Sequence, residues 1–270
     1  LGRFFSCTAL TTVDFESGSK LVEIDAFAFS HSGLQSIEIP RSVETIGIGA
    51  FGECTDLATV TFEEGSQLKK IEGGYKDDLG AFFNCTSLTS IEIPASVENI
   101  ESSAFQGCTA LTTVTFEKGS QLKTIEGGDI SSGGAFENCT SLTSIKIPAS
   151  VVAIGEDAFT ECKALTIITF EQGSQLNAID NGAFRGCLSL KTIDMSTCTK
   201  VKTIGSSGGF SVFYKCHSLQ TFKLGTYTPP DASYLGSIPT SATLQVPANS
   251  ISSYRTARGW KDFPHITSLD

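Results

Sequence analysis

The sequence is poor in the residues that usually carry chemistry. It has three histidines, one methionine and one tryptophan in 270 residues. His31, His217 and His265 share no metal-ligand spacing, and no Cys-x-x-Cys pair suggests zinc. Basic residues are short as well: 19 Lys and Arg stand against 29 Asp and Glu, a net charge of −10. That balance argues against nucleic acid, whose capture rests on Lys and Arg neutralising phosphates, and against docking on anionic membranes. No run approaches the ~18 apolar residues of a membrane span. The glycine-rich stretches at 73–80 and 127–134 lack the Gly-Lys-Ser/Thr ending of a phosphate loop. No acid, base and nucleophile break out of the general pattern together, so the sequence points away from an enzyme and calls for no cofactor.

What is present is repetition, the first thing to seek in such a chain. The leucines of Cys-x-x-Leu fall at Leu10, Leu57, Leu88, Leu111, Leu142, Leu165, Leu190 and Leu219, and Leu34 joins them in a shortened copy. Residues 54–107 and 108–161 are near-copies, so the true period is a 54-residue pair made of a 31- and a 23-residue unit.

Each unit has the same physical reading. After the leucine, apolar residues alternate with polar ones, as in Val60-Thr61-Phe62 and Ile91-Glu92-Ile93. Period two with β-branched residues predicts a short strand with one buried face. The strand stops at Gly65, Gly119 and Gly173 in one kind of unit and at Pro40, Pro94 and Pro148 in the other. A second apolar pair follows, carrying the column Ile24, Ile46, Ile71, Ile100, Ile125, Ile154, Ile179, Ile204. Last comes Ala-Phe-x-x-Cys, with Phe51, Phe82, Phe105, Phe136, Phe159 and Phe184, which reads as a helical turn or 3₁₀ segment. No unit can bury its own apolar face, and stacking aligns Leu on Leu, Ile on Ile and Phe on Phe. About ten coils would make a rod or shallow arc roughly 45–50 Å long.

Residues 1–224 read as the solenoid, and 225–270 as a terminal coil and cap. In the latter, Asn249 or Ser250 is placed to N-cap a short helix, and Trp260, Phe263 and Ile266 to cover the open end. The chain opens inside a repeat, at Phe4-x-x-Cys7, which predicts further sequence upstream.

The repeats resemble the BspA-like leucine-rich-repeat family, also called the Treponema-pallidum-type repeat. The match is Cys-x-x-Leu-x-x-(Ile/Val)-x-(Ile/Phe), then (Pro/Gly)-x-x-(Val/Leu)-x-x-Ile, then Ala-Phe-x-x-Cys, over residues 3–224. The resemblance implies a right-handed solenoid of α/β-type repeats. A parallel sheet would line its concave face, with short strands and helical turns on the other sides and a C-terminal cap. It also implies a secreted or surface-attached protein that adheres to host proteins or other cells.

Eight cysteines, Cys7, Cys54, Cys85, Cys108, Cys139, Cys162, Cys187 and Cys216, share one slot and read as a column of buried, inert thiols. Cys198 is off-register and is expected to be an exposed or odd thiol. Binding is expected at residues that face away from the core. On the strands these include Glu38, Thr59, Thr61, Ser90, Glu92, Thr113, Thr115, Ser144, Lys146, Ile167 and Thr169. A flanking column alternates Glu16, Glu63, Glu117 and Glu171 with the prolines. A second candidate is the loop ridge added by the longer units, with Tyr75, Asp77, Asp78 and Asp129. The partner expected on this face is a protein, such as a host matrix or cell-surface protein, bound by a monomer. A glycan is the alternative, although Tyr75 and Tyr227 would have to serve as its stacking platforms, and a structural spacer is a third.

Overall fold

The computed structural model describes residues 3–74, 79–128, 132–206 and 209–269. Among them, eleven strands form one parallel sheet in strict chain order. Most are four residues long, from Ser36–Ile39 to Thr243–Val246, and the last is His265–Ser268. The register is the one the leucine columns predict: Thr12↔Ser36↔Thr59↔Ser90↔Thr113↔Ser144↔Ile167↔Thr192↔Thr221. Burial alternates along each strand, as in Ser90–Ile93, where Ile91 and Ile93 are buried and Ser90 and Glu92 exposed. Parallel strands cannot be joined by a tight hairpin, so each connection must run around the rest of the coil before the next strand.

That return path carries a second parallel sheet, which the sequence reading described only as an apolar pair. Eight two-residue strands, from Glu23–Ile24 to Thr203–Ile204, stack in order with isoleucine on isoleucine. A two-residue strand is too short to show a period-two signal.

The Ala-Phe-x-x-Cys segments close i→i+3 hydrogen bonds, such as Cys85 N–H to the Phe82 carbonyl (3.2 Å) and Cys108 N–H to Phe105 (3.2 Å). They do not extend into helices, because alternate N–H groups leave the coil. Phe82 donates to Ala104 and Asn84 to Gln106 in the next coil, at 2.8 Å each. The turns thus form a third ladder, parallel to the two sheets. The residue before the cysteine takes a left-handed φ, near 53° at Asn84 and 75° at Gly107.

The core between these ladders is a set of identical columns. Phe29, Phe51, Phe82, Phe105, Phe136, Phe159, Phe184 and Phe213 stack with centroids 5.1–5.9 Å apart and ring planes within 16°. Aromatic rings favour this offset geometry, and it sits close to the ~4.8 Å strand spacing.

The cysteine column is buried, as expected, except at Cys7, which is partly exposed, and it is not merely apolar. Cys54, Cys85, Cys108, Cys139, Cys162, Cys187 and Cys216 each donate S–H to the phenylalanine carbonyl of the preceding coil, at 3.0–3.3 Å. Burial pushes the thiols of Cys85, Cys139 and Cys187 well up from their ordinary value, so they stay protonated donors. The expectation for Cys198 is overturned. It is fully buried under the turn after Thr192–Met195, 3.4 Å from Ser174 Oγ, and burial pushes its thiol up to about 11.

At the C-terminal end, Ala248–Ser250 forms a 3₁₀ turn and Ile251–Tyr254 a single helical turn. Ser250 precedes that helix but makes no cap bond to it; its hydroxyl donates back to the Pro247 carbonyl (2.7 Å). Asn249 lies within the 3₁₀ turn. Trp260 and Phe263 are buried against Phe222, and Trp260 Nε1 donates to the Pro230 carbonyl (2.8 Å). His265–Ser268 then adds the last strand to the long sheet, a strand the sequence reading did not anticipate.

Candidate functional site

The strand pattern exposes every second side chain of the long sheet, and the register aligns these into columns. Thr59, Ser90, Thr113, Ser144 and Ile167 are neighbours in one column. Glu38 pairs with Thr61, Glu92 with Thr115 and Lys146 with Thr169 in the next. All are exposed except Thr169, which is half-buried. Ile167 is 37% exposed, an apolar break in a hydroxyl column. The structure therefore brings the strand candidates onto one continuous face. Tyr75, Asp77, Asp78 and Asp129 lie outside the described residues.

Among the described residues, Glu38, Thr59, Thr61, Ser90, Glu92, Thr115, Ser144, Lys146 and Thr169 make no side-chain hydrogen bond to protein; Thr113 meets only Thr112, at 3.4 Å. The adjacent column behaves differently. Thr112 and Thr166 donate to the backbone carbonyls of Thr89 and Thr143, at 3.0 and 2.9 Å. Near the N-terminal end the face holds a recess of about 320 Å³, with Asp14, Glu38, Thr59 and Thr61 in its lining. Further along, Asp194 pairs with Lys223 at 3.3 Å.

The flanking glutamates have a structural role that periodicity could not reveal. Glu63, Glu117 and Glu171 accept hydrogen bonds from the backbone N–H groups of Arg41, Ala95 and Ala149, at 2.9–3.1 Å. Each of those N–H groups follows a proline, at Pro40, Pro94 or Pro148. Proline itself has no N–H to offer the ladder. Where Pro94 and Pro148 come up against the preceding coil, pairing shrinks to one register pair, Thr59↔Ser90 and Thr113↔Ser144. On the other side of each proline-ended strand, four pairs form. Between Ser36 and Phe170 the long sheet is thus a series of tight doublets with loosened joints, each doublet tied by its glutamate; beyond it every step forms three or four pairs.

The glycine-rich stretches serve packing where they are described. The Gly73 N–H donates to Glu101 Oε2 (3.0 Å) and that of Gly74 to the Ser102 carbonyl (3.1 Å). Asn84, ahead of Cys85, donates to Glu53 Oε1 (2.9 Å). Among the described residues, no group of three His, Cys, Asp or Glu could hold a metal ion, and no helix is long and apolar enough to cross a membrane.

Comparison with solved structures finds several similar chains, one of them above a TM-score of 0.5. A leucine-rich repeat protein from Bacteroides ovatus matches at 22% identity and a TM-score of 0.57, over 99% of this chain and 74% of that one. The pneumococcal vaccine antigen PcpA matches at 19% identity and 0.44, over 93% of this chain and 85% of that one. A leucine-rich cell surface protein from Faecalibacterium prausnitzii matches at 22% and 0.43, over 93% and 83%. No curated protein matches the sequence significantly. The family model for the BspA type leucine rich repeat region matches in six copies, over residues 2–75, 78–129 and 129–237. With most of its length matched, and with its Leu, Phe and Cys columns stacked coil upon coil, the chain belongs to the BspA-type leucine-rich-repeat family.

Proposed function

We propose that the chain is a non-enzymatic interaction module that holds a protein ligand on the outward face of its long sheet. The ligand is a matrix or surface protein of a host or another cell, and the module is displayed outside the cell, as the family resemblance implies. The observation that carries the reading is the pair of aligned columns from Glu38 to Thr169. Among the described residues, their hydroxyl, carboxylate and ammonium groups have no protein partner apart from the Thr113–Thr112 contact, yet the backbone beneath fixes their positions. Many weak, pre-positioned contacts over a broad face suit a protein surface, and solenoids commonly bind this way. The recess beside Glu38 gives a projecting ligand side chain somewhere to insert.

The test is surface plasmon resonance of the chain against a panel of extracellular matrix proteins, with Glu92→Lys combined with Thr113→Arg as the variant. Both positions are exposed, so thermal melting should be unchanged. Saturable binding that the variant weakens supports the reading. Saturable binding that the variant leaves intact removes this face from consideration.

A further inference from the structure

A second recess, of about 880 Å³, lies away from the long-sheet face, beside the C-terminal half of the short-strand sheet. Its chemistry is the reverse of the chain's. The protein carries a net charge of −10, yet Lys123, Lys200 and Lys202 converge on this recess and no carboxylate lines it. Lys123 and Lys202 make no ion pair with the described residues, and Lys200 Nζ meets only the neutral amide of Gln175 (2.5 Å). The nearest acids flank the recess rather than line it. Glu98 is one coil from Lys123, and Asp231 is joined to Lys202 through backbone, its carboxylate accepting from the Ser233 hydroxyl.

The lysines are spread along the stack. Backbone bonds run from Val152 to Lys123, from Asn177 to Val152 and from Lys202 to Asn177, which places Lys123 and Lys202 three coils apart, roughly 14 Å. One carboxylate or sulfate cannot span that distance; an extended chain of regularly spaced anions can.

The recess exists because the repeat breaks there. After Thr203–Ile204 the next coil supplies no short strand. In its place comes Tyr227-Thr-Pro-Pro, with a lone parallel bridge between Thr203 and Asp231. This segment walls the recess and stands Tyr227 in solvent, 67% exposed. The bridge also occupies the sheet edge that a peptide strand would need for main-chain pairing. An exposed ring backed by amides and hydroxyls instead suits the C–H faces and hydroxyl groups of sugar rings. The hydroxyl of Ser150, which lines the recess, is buried without a hydrogen-bond partner among the described residues. Its repeat equivalents Ser42 and Ser96 each donate to two carbonyls of the coil before. The Ser150 hydroxyl is buried beneath the surface of the recess and is not itself offered to a ligand.

We infer that this recess binds an acidic saccharide chain, with Lys123, Lys200 and Lys202 meeting its carboxylates or sulfates and Tyr227 stacking on a ring. The site is independent of the long-sheet face.

Calorimetric titration of the whole chain tests this. The probes are a hexameric oligogalacturonate, a heparin-derived hexasaccharide, neutral maltohexaose and a hexaglutamate peptide. At least one acidic saccharide should saturate, more weakly as salt rises, and maltohexaose should not. The first two probes distinguish carboxylate from sulfate recognition. Lys123→Ala with Lys202→Ala should lower that affinity by about tenfold or more without changing thermal melting, as both side chains are exposed. Tyr227→Ala should weaken saccharide binding as well. The inference is overturned if neither acidic saccharide saturates or if the lysine variant binds as the parent does. It is equally overturned if hexaglutamate matches the saccharides and ignores Tyr227→Ala, which would make this a general anion surface.

Discussion

The body of the solenoid and its C-terminal end solve the same problem by opposite means. Between Phe29 and Phe184 each core ring packs on its own copy, with planes between 2° and 16° apart. At the end the partners are unlike: Phe213 meets Phe222 at 81°, Phe222 meets Trp260 at 59°, and Tyr254 meets Trp260 at 78°. A self-copying column propagates indefinitely and cannot terminate itself. Termination needs residues whose shape fits the last coil but offers no copy of it. The same contrast appears on the surface. Repetition makes a broad face of aligned columns, and the break in repetition makes the lysine-lined recess with its exposed tyrosine.

Breaking the comparison on either side should cost stability in different places. Phe105→Ala removes one ring from the middle of the stack and should destabilise by about 3–5 kcal/mol, read by thermal or denaturant unfolding. Because each coil contacts only its neighbours, protection from hydrogen exchange should fall on both sides of the gap. Trp260→Ala should cost a similar amount, about 3–5 kcal/mol. Its loss of protection should be confined to the last strands and the helical turn, leaving coils before Phe184 untouched. Uniform loss in both variants would contradict the nearest-neighbour picture.

Smaller effects sharpen it. Glu117→Ala strips the bond to the Ala95 N–H and should cost about 1 kcal/mol. Its signature is faster amide exchange at Ala95, with Arg41 and Ala149 unaffected. The smallest perturbation is none at all. In the native protein, a thiol reagent at mildly alkaline pH should label Cys7, which is partly exposed, and leave the other eight of nine cysteines unmodified until unfolding. Labelling of Cys198 in the folded state would contradict its burial.

Much of this was legible because repetition converts sequence position directly into spatial adjacency. The columns of Leu, Ile, Phe and Cys, the register of the long sheet and the outward positions from Glu38 to Thr169 all follow from counting. What escaped are contacts that join unlike slots of neighbouring coils. The Glu117 carboxylate reaches the Ala95 N–H 22 residues back. The Cys108 thiol reaches the Phe82 carbonyl 26 residues back. Neither leaves a local pattern. Cys198 misled for a related reason: leaving the cysteine slot suggested the surface, yet the turn after Met195 has an interior of its own. The recess escaped because the slot shared by Lys123 and Lys202 holds Val152 and Asn177 in the coils between, so no lysine column shows in the sequence; Tyr227 was the one visible sign.

The central claim is that the repeated face and the break in the repeat are separate binding surfaces, with the protein ligand on the former. The direct measurement is the affinity of that ligand, immobilised, for two variants side by side: Glu92→Lys with Thr113→Arg, and Lys123→Ala with Lys202→Ala. The account predicts a loss of about tenfold or more, ~1.4 kcal/mol, for the first and parental affinity for the second. Parental affinity for the first variant with loss in the second would contradict it.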